Sequence, residues 1–166
     1  MAKILAMAVA CNQTKIFNLV FTDNFANVRR VGETYTHHLL THEEAIDSEI
    51  GYQPLTYWFN KSAMDGLATY IDILDGIPEG DGTLLDNCLV MATTETNYTR
   101  LHTIDGVPAY LIGGAGGRVK QGMYVAGGGD PITRVGLTAM QAMGVPVQTW
   151  GPKSLETSKP ITEILA

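Results

Sequence analysis

The chain is poor in charge, in aromatic side chains and in cysteine, and it has no long apolar run. Of its 166 residues, 17% are charged and 8% aromatic, and only Cys11 and Cys88 are cysteines. Low charge beside a hydrophobic content of 45% excludes a disordered chain and points to one folded domain over residues 1–166. Positive charge is scarce as well: the net charge is −6, and no basic cluster exceeds the pair Arg29-Arg30. That argues against nucleic acid or an anionic membrane surface as the main partner. No apolar stretch approaches the length of a membrane span. Neither cysteine lies in a CxxC or other metal spacing. Both have apolar neighbours, so two buried free thiols are expected, with a disulfide left open. GxSxG is absent and no Ser-His-Asp or Cys-His arrangement stands out, so there is no evident activated nucleophile.

What is present reads as alternating helices and apolar strands. Residues 2–12 are rich in Ala, Leu and Met and read as a core helix, with a cleaved signal as the weaker option. Lys15 to Phe21 is β-branched and aromatic and reads as a buried strand. Pro54 suits the first position of a helix that runs through Trp58, Phe59, Met64, Leu67, Ala68, Ile71 and Leu74. Trp58 and Phe59 are expected in the core. Glycine-rich residues 76–82 end that helix; their acidic spacing is wrong for a calcium loop. Cys88 to Thr93 is a continuous apolar run of the kind buried on both faces of a parallel sheet. Val107 to Ile112 is a second strand, and Val119 to Val125 a short third. Gly113-Gly-Ala-Gly-Gly117 fails the GxGxxG spacing, so it reads as tight packing or a turn. Asp130-Pro131 opens a last helix, Gly144 stops it, and the tail ending in Ile161 to Leu165 is apolar enough to dock. Together these elements predict a layered α/β fold with a largely parallel sheet and helices on its faces.

Three of the four histidines lie in Thr36-His37-His38-Leu39-Leu40-Thr41-His42-Glu43-Glu44. If this stretch is helical, His38 and His42 stand one turn apart on one face and can converge on a metal ion or a substrate group. In an open α/β sheet, sites gather beyond the carboxyl ends of the strands. Glu95 falls at such an end, with His102 and Asp105 in the loop behind it. His38, His42, Glu95 and Asp105 are therefore the candidate ligands of a divalent metal, zinc first among those that suit the donors. If the site is catalytic, His102 is the candidate catalytic residue near the substrate. Taken singly, each residue also has a plainer role: Glu95 capping a turn, His102 solvated, Asp105 capping the turn before Val107.

Several stretches together resemble a known family. They are His38-Leu-Leu-Thr-His42-Glu43, Ile77-Pro-Glu-Gly-Asp-Gly-Thr-Leu-Leu-Asp-Asn-Cys-Leu-Val90, His102 with Asp105-Gly-Val-Pro108, Leu111-Ile-Gly-Gly-Ala-Gly-Gly117, and Gln141-Ala-Met-Gly-Val-Pro146. Residues 33–151 resemble the C-terminal part of the HXXSHH family of bacterial proteins, which looks related to the alkaline phosphatase and sulfatase superfamily. Thr41 stands where the name motif has serine, and Glu43 where it has its last histidine. Glu95 and Thr96 stand where the superfamily has an Asp-His metal pair. The resemblance implies a divalent-metal site of phosphatase or sulfatase type, hydrolysis of a phosphate or sulfate ester, and a periplasmic or exported location. It also implies a domain incomplete relative to its family, completed by self-association or by a second chain. A non-catalytic structural or interaction subunit that has lost the site is the alternative.

Overall fold

A computed structural model describes all residues from Met1 to Ala166. Its contacts separate into two units: Met1–Ile73 with Tyr98–Thr103, and Leu74–Asn97 with Ile104–Ala166.

The first unit is helical. Helix α1 spans Ala2–Ala10, α2 His37–Glu43 and α3 Pro54–Asp75, the last two residues of α3 belonging to the second unit. The period of α3 is as expected, but its buried stripe runs through Phe59, Leu67, Tyr70 and Leu74, whereas Trp58 is 39% exposed and Met64 46%. The Arg30 guanidinium stands 5.3 Å from the Trp58 ring centre, so this indole is a cation–π partner at the surface and not core. The segment from Lys15 to Phe21 has no regular secondary structure and pairs with no strand. Its aromatic content serves a different contact. Phe17 meets Tyr70 edge-on at 5.6 Å, and a Cβ on Gly66 would lie 2.9 Å from the Phe21 ring. The strand-like composition is thus used to cover a helix.

The second unit contains the strands. Pro78–Glu79 (β1) and Gly82–Thr83 (β2) form a minimal antiparallel hairpin across Gly80 and Asp81. The short helix α4, Leu84–Asn87, follows, with the Asp86 carboxylate accepting the Thr83 N–H at 2.8 Å. Val90–Thr93 (β3) and Ala109–Ile112 (β4) pair antiparallel, from Val90 opposite Ile112 to Thr93 opposite Ala109.

These pairings overturn the layered, largely parallel α/β sheet expected from the sequence: the fold has two two-stranded antiparallel sheets and no parallel pair. A parallel pair needs a long crossover, usually a helix. The residues between β3 and β4 hold only a 3₁₀ turn, Thr99–Leu101. β3 is half-buried on one face and exposed on the other, so its apolar run does not mark a strand covered on both sides. Of the expected strand from Val119 to Val125, only an isolated bridge from Val119 to Leu165 exists.

Of the glycines in residues 113–117, Gly113 and Gly114 pack closely, as expected, while Gly116 and Gly117 turn the chain at positive φ with no such close contact. Gly114, Ala115 and Gly116 donate their amides to the carbonyls of Leu85 (3.2 Å), Cys88 (3.0 Å) and Asp86 (2.8 Å). A Cβ on Gly114 would sit 2.5 Å from the Asp86 carbonyl oxygen. Three successive amides of this loop are thus spent on carbonyls of residues 85–88 and do not point at a ligand.

Helix α5 is Thr133–Ala142. Asp130 does not cap it through its side chain but pairs with Arg134, one turn on. The helix ends as expected: Gly144 has φ +83°, its amide reaches the Gln141 carbonyl and that of Val145 reaches Met140. This is the Schellman pattern, which favours glycine at the left-handed position. The tail docks on α5. Thr138, fully buried, donates to the Arg134 carbonyl at 2.6 Å and accepts the Ile161 N–H at 2.8 Å. The Arg134 guanidinium holds the Lys159 and Pro160 carbonyls.

Both cysteines are free, but Cys11 is exposed and Cys88 only half-buried, so neither is the fully buried thiol expected. Burial, and then the charge of Glu79, push the Cys88 thiol above its ordinary pKa. A maleimide at about pH 7.5 should therefore modify Cys11 rapidly and Cys88 slowly, with denaturant equalising the two; mass spectrometry of the peptides reads the order, since the thiolate is the nucleophile. Leu137 has no exposed surface. Leu137→Ala should cost about 2–5 kcal/mol in a urea titration, whereas Val31→Ala, fully exposed, should cost almost nothing.

Candidate functional site

Helix α2 has only seven residues, too few to persist on propensity alone, and its ends are held by other segments. At the N-terminus the Thr36 hydroxyl accepts the Leu39 amide at 3.2 Å. The amides of His37 and His38 go to the carbonyls of Val28 (2.9 Å) and Ala26 (3.3 Å). At the C-terminus the Gln53 side-chain amide donates to the carbonyls of Leu40, Thr41 and Glu44 at 3.1, 3.2 and 2.8 Å. The Glu44 carboxylate in turn takes the first free amides of α3: Leu55 N–H at 2.7 Å, Thr56 N–H at 2.8 Å, and the Thr56 hydroxyl at 2.8 Å. Each helix thus supplies the side chain that satisfies the other's orphaned backbone groups.

The helical condition placed on His38 and His42 is met. Their ring centres are 4.9 Å apart on one face of α2, both half-buried. His37, between Thr36 and His38, turns away and stacks on Phe59 at 4.7 Å with the planes 11° apart. Its Nδ1 is buried without a hydrogen-bond partner. Burial, and then His38, hold its pKa below the ordinary value, so His37 anchors α2 to α3 as a neutral ring.

His102 arrives from a distant part of the chain. The 3₁₀ turn Thr99–Leu101 ends at His102, which has φ 52° and ψ 40°, in the left-handed region. That conformation costs an L residue roughly 1–2 kcal/mol. Two bonds pin the turn: the Thr103 hydroxyl accepts the Tyr98 N–H at 3.1 Å, and an Arg100 Nη donates to the Glu44 carbonyl at the end of α2. The exposed His102 ring is thereby set 4.9 Å from His42 and 6.0 Å from His38. The first unit therefore brings together three of the five residues singled out from the sequence. Glu95 and Asp105 belong to the second unit, where both are exposed, Glu95 in the loop after β3 and Asp105 in the turn before β4.

Three imidazoles at these separations suit a cation better than they suit each other's charge. Two imidazolium ions about 5 Å apart repel by roughly 1 kcal/mol in bulk water and roughly 3 kcal/mol at an effective dielectric constant near 20. Neutral rings have no such penalty and offer nitrogen lone pairs to a borderline divalent ion. With metal–nitrogen bonds of about 2.0–2.1 Å, ring centres lie about 3.2 Å from the ion, and two rings at the tetrahedral angle lie about 5.2 Å apart. The observed 4.9, 4.9 and 6.0 Å bracket that figure. No group of three or more His, Cys, Asp or Glu side chains is placed in this structure so that it could hold a metal ion. Closing on an ion requires rotation of the rings about their χ angles, which the broad terminal torsion of histidine permits.

Glu44, Gln53 and Arg100, which position this cluster, were not identified from sequence. Their role depends on which helix ends meet, and no local motif records that. No family model, curated protein or solved structure matches this chain.

The Glu44 contacts make a measurable statement. Glu44→Ala leaves two backbone amides of α3 without their acceptor and should lower stability by about 1–3 kcal/mol. Glu44→Gln, which keeps one acceptor oxygen, should lose less; urea unfolding of the three proteins gives the ranking.

Proposed function

We propose that this protein is a divalent-metal-binding domain whose site is centred on His38 and His42, of the phosphatase or sulfatase type that its resemblance to the HXXSHH family implies. The observation that supports the reading is the convergence, at 4.9–6.0 Å, of the His38 and His42 rings on α2 and the His102 ring at the end of the 3₁₀ turn. An ion held there would act as a Lewis acid toward a phosphoryl or sulfuryl oxygen. The three imidazoles would hold it and leave the exposed side of the cluster open to an ester. Zinc suits these donors first. Hydrolysis of a phosphate or sulfate ester, and a periplasmic or exported setting, rest on the family resemblance alone.

A non-catalytic interaction subunit is the second reading, and a different observation favours it. Large apolar side chains stand in solvent, among them Ile4, Ile16, Val31 and Tyr124, the last 90% exposed. Association with a second copy or another chain would cover such surface. No helix is long and apolar enough to cross a membrane.

Metal analysis of the purified protein, with its mass in solution, separates the two. For a metal site, about one divalent ion per chain is retained, and replacing both His38 and His42 with Ala removes it and lowers the melting temperature, because an ion bound only to the native state stabilises it. Unchanged metal content in that double variant rules out these ligands. A metal-free protein in a stable higher-order assembly supports the interaction reading.

A further inference from the structure

We propose that the loop over residues 121–130 is a proteolytic processing site. An endopeptidase that prefers an aromatic side chain before the cut hydrolyses the Tyr124–Val125 peptide bond, and the two pieces remain one folded particle. One water molecule is consumed: its hydroxyl joins the Tyr124 carbonyl carbon and its hydrogen the Val125 nitrogen. His38, His42 and His102 all precede the cut, so the proposal does not rest on the metal-binding reading.

The loop gives a protease access. A protease draws a stretch of its substrate into an extended conformation, so it cuts where the chain is exposed and its backbone is not bonded elsewhere. Exposed loop tips of small residues are such places. From Gln121 to Asp130 every residue but Val125 is exposed, Tyr124 most of all. Between Gly122 and Gly129 the sole hydrogen bond is the one that the Gly127 carbonyl accepts from the Asp130 N–H at 2.9 Å. A Cβ on Gly122, Gly127, Gly128 or Gly129 would meet nothing within 4 Å, so the loop is unpacked at these positions. Only its ends are pinned. The Gln121 side-chain amide donates to the Gly113 carbonyl at 2.7 Å, and Asp130 pairs with Arg134. Other exposed aromatic residues are tied down. Tyr110 is a β4 residue, Trp150 and Thr157 exchange backbone bonds in both directions, and Phe25 lies 6.0 Å from the His38 ring.

The chain beyond the cut returns to the residues just before it. Val119 and Leu165 form an antiparallel bridge. The Lys120 N–H reaches the Ile164 carbonyl at 2.8 Å, and the Ala166 N–H reaches the Arg118 carbonyl at 3.1 Å. The apolar cluster of Ala115, Val119 and Ala142, with Leu89 and Leu165 packed against it, takes members from both sides of the cut. None of these contacts uses the loop. Hydrolysis removes the covalent link and leaves the buried apolar surface, which drives association, in place.

Chymotrypsin and subtilisin are the probes. The full-length protein is digested with a small amount of each under native conditions, and the pieces are identified by mass spectrometry. We expect the first chymotrypsin cut after Tyr124, giving residues 1–124 and 125–166, which elute together from a sizing column and part only in denaturant. Tyr124→Ser should slow that cut at least about tenfold, since an apolar group lost from a specificity pocket is worth that much. Subtilisin, whose preference is broad, should cut both proteins first within residues 122–129.

A first subtilisin cut outside residues 122–129 overturns the processing site. A first chymotrypsin cut anywhere but after Tyr124, or an unslowed Tyr124→Ser, overturns Tyr124 as the side chain recognised. Pieces that separate without denaturant overturn the two-piece particle.

Discussion

The first unit depends on a reciprocal exchange between two helix ends. The Gln53 amide closes the carbonyl end of α2 and the Glu44 carboxylate closes the amide end of α3. A seven-residue helix leaves more of its backbone groups unsatisfied than it satisfies within itself. Isolated in water it would unwind. Once its last carbonyls are bonded and His37 is stacked on Phe59, the same segment becomes a rigid platform. The spacing of His38 and His42 acquires meaning only after that, because residues four apart share a face only on a formed helix. The exchange is also what the third histidine leans on, since Arg100 bonds to the very carbonyl that Gln53 holds.

The second unit is organised by close backbone contact rather than by a broad apolar face. A two-stranded ribbon is marginal on its own. The β3–β4 pair gains the Thr93 hydroxyl bond to the Pro108 carbonyl and continues into glycines pressed against residues 85–88. The tail fixes α5 from the other direction through Thr138, a buried hydroxyl with both a donor and an acceptor role filled. Such a group rigidifies its surroundings because any displacement leaves a polar atom buried and unpaired.

The longer helices were legible in the sequence because their signals are local, whereas the four-residue α4 was not foreseen. Pro54 and the 3.6-residue period marked α3, and Gly144 marked the end of α5. The sheet was not legible, because apolar composition does not say what covers a segment. Residues 15–21 look like a buried strand and instead lie along α3 with Phe17 on Tyr70. Cys88 to Thr93 looks like the middle of a parallel sheet and is one edge of a hairpin. For the site, the i, i+4 spacing of His38 and His42 was readable. The arrival of His102 was not, since it depends on a left-handed residue and a bond across 56 positions. The argument from strand ends, which joined Glu95 and Asp105 to the histidines, loses its basis with the parallel sheet.

The short excursion of Tyr98–Thr103 into the first unit has a consequence for heredity. The chain passes between its two units at 73–74, 97–98 and 103–104, so neither unit is one continuous length of polypeptide. No single cut, gene break or exon boundary can release either of them whole. Everything before residue 74 by itself would carry α2 without the arginine that grips its end and two histidines without the third. The units are therefore bound to be inherited as a pair. Moving the continuous stretch before residue 74 alone into another protein would part His38 and His42 from His102.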